Sequence, residues 1–277
     1  MSWSRAPSVA GTFYPEGAAS LRSQVERFLS EASKEGGGRP DPTGGAATPK
    51  ALIAPHAGFI YSGPVAASAY VRILPLRPSI RRVILLGPAH RYPLRGLAAS
   101  SASSFETPLG PVPLDRDSID RILELDQVDL LDEAHEGEHS LEVHLPFLQV
   151  VLDEFSVVPL VVGDVSPEDV TEVLAVLWGG DETLVVVSSD LSHYLSYSQA
   201  AELDAMTARA IQELRPDLLE REQACGRTPV AGLLLRAREK GLSAECVDLR
   251  NSGDTAGPRN QVVGYGSFVF TCGLDLS

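Results

Sequence analysis

Apolar residues run without interruption at Ala51–Ala54, Val83–Leu86, Val157–Val162 and Leu184–Val187. Runs this short, rich in Val, Ile and Leu and free of polar alternation, predict strands buried on both faces, as in a parallel sheet. Elsewhere the apolar spacing becomes helical. Leu21, Val25, Phe28 and Leu29 share one stripe of a helix over Leu21–Ala32, and Leu145–Leu152 forms an apolar helix. Ser118–Leu125 and Pro167–Trp178 are further helices. Thr228 as N-cap with Pro229 at the first helical position starts another, ending at Glu239, and Pro64 takes the same first position before Val65–Val71. Leu97–Ser104 reads as a small-residue strand, Phe105–Pro113 as a turn-rich link, and Gly266–Cys272 as a terminal strand. Gly11–Pro15 is a short extended hook. Strands and helices therefore alternate, which is the α/β class.

One long interruption remains. Glu35–Pro49 carries three consecutive glycines, two prolines after Asp or Arg and a second glycine pair, so it builds no packed element. It is a flexible connection and not a domain boundary, because the residues before it are too few for a core. The expectation is one domain over residues 1–277, and 44% hydrophobic content suits a large soluble core.

Charge narrows the function. With 23 basic against 37 acidic residues the net charge is −14, which repels phosphate backbones and argues against nucleic acid as a partner. Met1–Tyr14 lacks the apolar stretch of a signal peptide and no segment reaches membrane-spanning length, so the expectation is a cytoplasmic protein with no membrane partner. Three cysteines, Cys225, Cys246 and Cys272, are too few for a disulfide framework. None of the lysines, Lys34, Lys50 and Lys240, lies in a phosphate loop or an apolar pocket, which disfavours Schiff-base chemistry.

Three of the buried runs end beside a histidine. His56 comes two residues after Ala54, His90 comes directly after Gly87-Pro88-Ala89, and His193 directly after Ser188-Ser189-Asp190-Leu191-Ser192. A lone strand-end histidine is ordinarily a hydrogen-bonded surface residue. Three of six histidines at three strand ends point instead to a common metal or catalytic site, at the sheet edge where open α/β folds bind ligands. Asp190, three residues before His193, is placed to orient or charge-tune an imidazole. A serine-hydrolase reading of Ser188 to His193 is weak, because the chain contains no G-x-S-x-G elbow.

Asp132 to Phe147 is the densest polar stretch. His135 to His139 matches both H-E-x-x-H and H-x-x-E-H, zinc-hydrolase strings that need two histidines on one face of a stable helix. Gly137 at the centre costs a helix about 1 kcal/mol relative to Ala, and the acidic flanks favour a solvated loop. His139, Glu142 and His144 lead into the apolar helix and are placed to point into a cleft from its start, or to be plain loop residues. Cys225 precedes a helix start with Arg227 close by, an environment that favours thiolate and makes it the reactive candidate, whereas Cys246 and Cys272 read as packing residues.

Together, Ala10-Gly11-Thr12-Phe13-Tyr14, Ala54-Pro55-His56-Ala57-Gly58, Gly87-Pro88-Ala89-His90, Glu138-His139-Ser140-Leu141-Glu142-Val143-His144-Leu145-Pro146-Phe147, Ser188-Ser189-Asp190-Leu191-Ser192-His193 and Cys225-Gly226-Arg227-Thr228-Pro229 resemble the motifs of the Memo family, whose bacterial and archaeal members are called AmmeMemoRadiSam system protein B. The likeness spans nearly the whole chain. It implies a three-layer α/β/α sandwich similar to class III, LigB-type extradiol dioxygenases. By the same resemblance His56, His90 and Cys225 match metal-binding positions, and His193, with Asp190, matches the acid/base position. His139, Glu142, His144, Tyr14 and Tyr61 are then pocket residues, with His144 a hydrogen-bonder more than a ligand, and His135 lies outside the pattern. One first-row transition metal is implied, copper, iron or zinc. Cysteine in place of the dioxygenases' carboxylate favours softer Cu(I) or Zn over Fe(II) and oxygen. The implied function is metal-dependent redox chemistry on an unknown substrate. A ring-cleaving dioxygenase is the enzymatic alternative, and a cleft holding a metal, a small molecule or a peptide for a partner is the non-enzymatic one. The family name also implies radical-SAM and Ammecr-type proteins as associates.

Overall fold

In the computed structural model, residues 3–34, 48–220 and 222–272 are described. Most of the expected Gly/Pro-rich connection, residues 35–47, therefore lies outside the described residues, and Pro49 already belongs to a strand.

Strand β1 (Ser4–Arg5) leads to helix α1 (Ala18–Ala32), which buries the predicted stripe of Leu21, Val25, Phe28 and Leu29. β2 (Pro49–Ala54) then runs into α2 (Phe59–Tyr70). This helix begins earlier than the sequence suggests. Gly58 is its N-cap and Pro64 lies inside it, not at its first position. Gly63, just before the proline, lets α1 approach, since a Cβ there would sit 2.5 Å from the Phe28 ring.

β3 (Arg82–Pro88) and β4 (Leu97–Ala99) come next. The expected strand over Leu97–Ser104 stops after Ala99, because the Asp132 carboxylate accepts bonds from the Ser100 and Ser101 hydroxyls and the Ser101 N–H and turns the chain away. The expected link over Phe105–Pro113 is instead a hairpin, β5 (Ser104–Thr107) and β6 (Gly110–Pro113). Pro108 lies in its turn, and Pro111 and Pro113 sit on the outer strand, where no inward N–H is needed. β1 pairs with β5 to complete a small three-stranded sheet.

After α3 (Arg116–Ile122), β7 (Val128–Leu130), the single turn α4 (Asp132–His135) and α5 (Leu145–Val151) come β8 (Ser156–Val162), α6 (Pro167–Leu177) and β9 (Thr183–Ser188). β10 (His193–Leu195), α7 (Tyr197–Gln212), α8 (Arg227–Glu239), β11 (Leu242–Asn251), α9 (Ser252–Thr255) and β12 (Val262–Cys272) complete the fold. Gly226 caps α8, two residues earlier than the Thr228 cap expected.

The large sheet has nine strands in the order β10-β12-β2-β9-β3-β8-β4-β7, with β11 also on β12. Its centre, β2-β9-β3-β8, is parallel and is built from the four uninterrupted apolar runs. Helices α1, α2 and α5 pack together on one side, and α3, α6 and α8 on the other, which gives the expected α/β/α layering. Among the described residues, no helix is long and apolar enough to cross a membrane. The parallel strands all end at one edge, and that edge positions the site.

Candidate metal site

β2 ends at Ala54, β9 at Ser188 and β3 at Pro88, and these strands are neighbours in the order β2-β9-β3. His56, Asp190 and His90 lie two residues beyond the three ends; continuing the pairing puts His56 level with Asp190 and His90 one residue further along. The His56 and His90 ring centroids are 5.1 Å apart. His139 completes the group, stacked on His90 at 4.9 Å and 5.5 Å from His56, with the Phe13 ring against it. One ring nitrogen from each of His56, His90 and His139 lies within 4.8 Å of the others. His139, expected only as a pocket residue, is thus a member of the cluster itself.

Cys225 reaches the group from the loop before α8, its Sγ 3.3 Å from His56 Nε2. The thiolate expected there is not what these surroundings favour. Burial first, and the nearby Asp190 charge second, push the thiol up to about 12, while Arg227 sits exposed to solvent. A bound metal reverses that preference by taking the sulfur as thiolate.

Burial, with repulsion from His90 and His139, drives the His56 pKa well below its ordinary value. Burial also lowers His139, against the pull of Glu138. Both rings are thereby held neutral, the state that ligates. Each ring meets a different environment. His90 Nδ1 lies 3.0 Å from Glu138 Oε1, so it carries the proton it donates and leaves Nε2 bare. His56 Nδ1 lies 2.6 Å from Ser188 Oγ, leaving Nε2 toward Cys225. His139 Nδ1 is buried with no hydrogen-bond partner among the described residues. A buried nitrogen without a partner, beside two rings whose outer nitrogens are occupied, fits a metal ion as the missing partner.

Glu138 is the residue whose role the sequence does not disclose. Burial raises its pKa, but hydrogen bonds from the His90 ring and from the His90 and Ser140 N–H groups win and bring it to about 2. It also accepts the His139 N–H at 2.9 Å. One carboxylate thus orients His90 and shapes the loop that carries His139. Nothing in the local pattern separates it from the neighbouring Glu136, which is exposed.

The remaining predicted residues fall into three places. Asp190 is buried under the group and its Oδ1 accepts the His56 N–H at 2.7 Å; burial raises its pKa. Of the two roles expected toward His193, orienting or charge-tuning, its carboxylate hydrogen-bonds the His56 backbone instead of the His193 ring among the described residues, while its charge interacts with His193. His193 begins β10, half-buried at the open edge. Tyr61 is half-buried in the first turn of α2, near Tyr265, a fully buried phenol that no sequence motif marks. Glu142 and Tyr14, expected as pocket residues, are both buried. Glu142 has no exposure, pairs with Arg5 at 2.7 Å, and accepts the Ser8 and Val9 N–H groups and the Tyr14 hydroxyl at 2.6 Å. His144 is likewise enclosed, between Ser188 and Tyr70, and burial brings its pKa to about 3.

The H-E-x-x-H string does not form a helix. α4 ends at His135, Gly137 takes a φ of 73°, and the His135 Nε2–H donates to the Ala98 carbonyl at 3.0 Å, away from His139. The segment is not solvated either, since His135 and Glu138 are both buried.

The family model for Memo-like proteins matches residues 5–269. This chain belongs to the Memo family. A "MEMO1 family protein" of Aquifex aeolicus is 34% identical over 96% of this chain and 98% of its own length. One from Sulfolobus acidocaldarius is 36% identical over 96% and 99%, and one from Metallosphaera sedula 32% over 94% and 97%. Among solved structures, an uncharacterized protein from Escherichia coli K12 superposes with a TM-score of 0.50 at 14% identity, over 78% of this chain and 98% of that one, a likeness of fold alone. In this Memo chain a cleft of about 680 Å³, lined by Pro88, Tyr92, Asp164, Cys225, Arg227 and Thr228, opens beside the group through Cys225.

Proposed function

We propose that this Memo-family chain holds one first-row transition metal, copper, iron or zinc, through His56, His90 and His139, with Cys225 as a further donor, and that with copper or iron there it carries out redox chemistry on a small molecule entering by the adjoining cleft. The observation that carries the reading is the trio of imidazole nitrogens within 4.8 Å of one another. The occupied outer nitrogens of His56 and His90 support it, as does the buried Nδ1 of His139, which has no hydrogen-bond partner among the described residues and lies 3.6 Å from Glu138 Oε1. Imidazole with thiolate suits Cu(I), Zn and iron better than hard oxygen-preferring cations. Copper or iron held there would supply electron transfer, whereas zinc, which has no redox chemistry, would act only as a Lewis acid.

The chain's own groups supply the rest. Glu138 and Ser188 orient two ligand rings, and burial keeps the His56 and His139 imidazoles neutral before binding. Cys225 releases its proton on ligation, so affinity rises with pH. His193, at the open edge, is the group placed to carry protons between solvent and substrate, with Asp190 beneath the ligands holding the His56 backbone.

Elemental analysis of untagged protein purified without added metal tests this. The expected result is about one metal per chain, as for a single three-histidine centre, with sharp loss in His56→Ala, His90→Ala and His139→Ala and weakening in Cys225→Ser. His193→Ala should keep the metal. Retention of wild-type metal content by all three histidine variants would sink the proposal.

A further inference from the structure

Beneath His56 a chain of polar groups runs into the core, and counting its hydrogens leaves one arrangement. Ser188 Oγ has three neighbours: His56 Nδ1 at 2.6 Å, His144 Nε2 at 2.9 Å and the Ser140 carbonyl oxygen at 2.6 Å. A hydroxyl owns a single hydrogen and accepts through its lone pairs. A carbonyl only accepts, so the hydroxyl hydrogen goes to Ser140, and both imidazoles must donate to Ser188 Oγ. His144, enclosed and neutral, then keeps a lone pair on Nδ1. The Tyr70 hydroxyl, 2.8 Å from that Nδ1, donates to it.

Ser140, Ser188, His144 and Tyr70 are each at most 1% exposed, so water supplies no alternative partner. Any other tautomer places two lone pairs or two hydrogens face to face in a buried site, where an unmade hydrogen bond is expensive. Tyr70 is itself fixed, stacked on Phe147 with ring centroids 5.0 Å apart and planes within 7°. The end of the chain is therefore anchored in the core.

We infer that Ser188, His144 and Tyr70 are positioning residues that lock His56 in its Nδ1–H tautomer and aim the Nε2 lone pair at Cys225 and the other two imidazoles. None of the three touches the cluster except through His56. Their consequence for ligation rests on the proposed metal binding, but the tautomer itself does not. The orientation of a ligand ring is thus set from α2 and the loop before α5, on the side of the sheet edge away from the cleft.

Long-range proton–nitrogen spectra of the metal-free protein read the tautomer directly. In wild type His56 shows a protonated Nδ1 and a bare Nε2; a protonated Nε2 overturns the inference with no variant needed. Ser188→Ala removes the acceptor, and His56 becomes a mixture of tautomers with Co(II) affinity about 10–100-fold lower, the usual range for losing a partner behind a ligand. His144→Leu acts in the same direction. His144→Gln restores both roles, since its amide N–H donates to Ser188 and its carbonyl accepts from Tyr70, and it returns the His56 tautomer to wild type. An unchanged His56 tautomer in folded Ser188→Ala, or failure of His144→Gln where His144→Leu also fails, overturns the positioning role. If wild type binds no metal but shows the locked tautomer, the metal reading fails and the positioning stands.

Discussion

Histidines reach this site along two kinds of chain. His56 and His90 lie just past parallel strands whose pairing fixes where they emerge. His135, His139 and His144 come from an irregular segment and have three fates: a hydrogen bond to the Ala98 carbonyl, a place among the three clustered imidazoles, and burial behind Ser188. Sheet register needs no side chain to hold it in place. The irregular segment is held by charged groups buried for that purpose. Arg5 donates to the His135 and Glu138 carbonyls and pairs with Glu142, while Glu138 and Glu142 collect backbone N–H groups on either side of His139. A strand-end histidine is therefore robust, and His139 depends on distant residues.

Glu142→Ala breaks that dependence hardest. It leaves the Arg5 guanidinium buried without its partner and orphans the Ser8 and Val9 N–H groups, so chemical denaturation should show a loss of about 3–5 kcal/mol. A loss below about 1 kcal/mol, the level of an exposed pair, would mean the segment holds itself.

Acid should act on the same segment. His135, with burial as the main cause and Arg5 next, titrates at about 4 in the fold against an ordinary value of 6.5. Between those values the unfolded chain binds the proton and the folded chain refuses it, so stability falls as pH drops through 6.5 and the loss levels off below 4. One such group is worth about 3 kcal/mol across the window. His144, depressed further, adds to the fall. Denaturation between pH 7 and 4.5 should show a slope that flattens partly in His135→Gln, which keeps a donor for Ala98; an identical slope in the variant would assign the acid sensitivity elsewhere.

Glu138→Gln sharpens the contrast at the site. Its effect should fall on metal affinity, about 10–100-fold lower, because the amide cannot accept from both the His90 ring and three backbone N–H groups as a carboxylate does. Competition with a chelator measures it. A larger loss of stability than of affinity would place Glu138 with Glu142 as a staple of the fold.

The smallest expected effect is on ring cleavage. Oxygen uptake with Fe(II) and a panel of catechols should stay at background, since imidazole and thiolate donors replace the two-histidine, one-carboxylate set that suits Fe(II) and oxygen. Stoichiometric uptake with a ring-opened product would restore the dioxygenase alternative.

The same contrast explains what the sequence discloses. Apolar runs announce buried strands through their composition, and a histidine just past such a run is placed by the strand, so His56, His90 and the sheet edge are legible. His139 is visible as a histidine but not as a member of the cluster, because its position rests on an ion pair between Arg5 and Glu142, residues 137 apart in the chain. No local pattern marks Arg5, and the motif that contains Glu138 does not show it to be a buried anchor. Burial is the other hidden quantity. Arg227 and the helix start next to Cys225 suggest a thiolate, yet burial and the nearby Asp190 charge decide for the thiol. Tyr14 and Glu142 resemble pocket residues for the same reason, since polar side chains in a motif look alike whether they face a cleft or a buried arginine.

Whether three imidazoles form one centre is decided most directly by titrating the metal-free protein with Co(II) and recording the visible bands of the bound ion. Saturation is predicted at about one ion per chain, with the intense bands of a four-coordinate site. His139→Ala should lose those bands and His135→Ala keep them. Bands that survive His139→Ala, or vanish in His135→Ala, would contradict the site described for this chain.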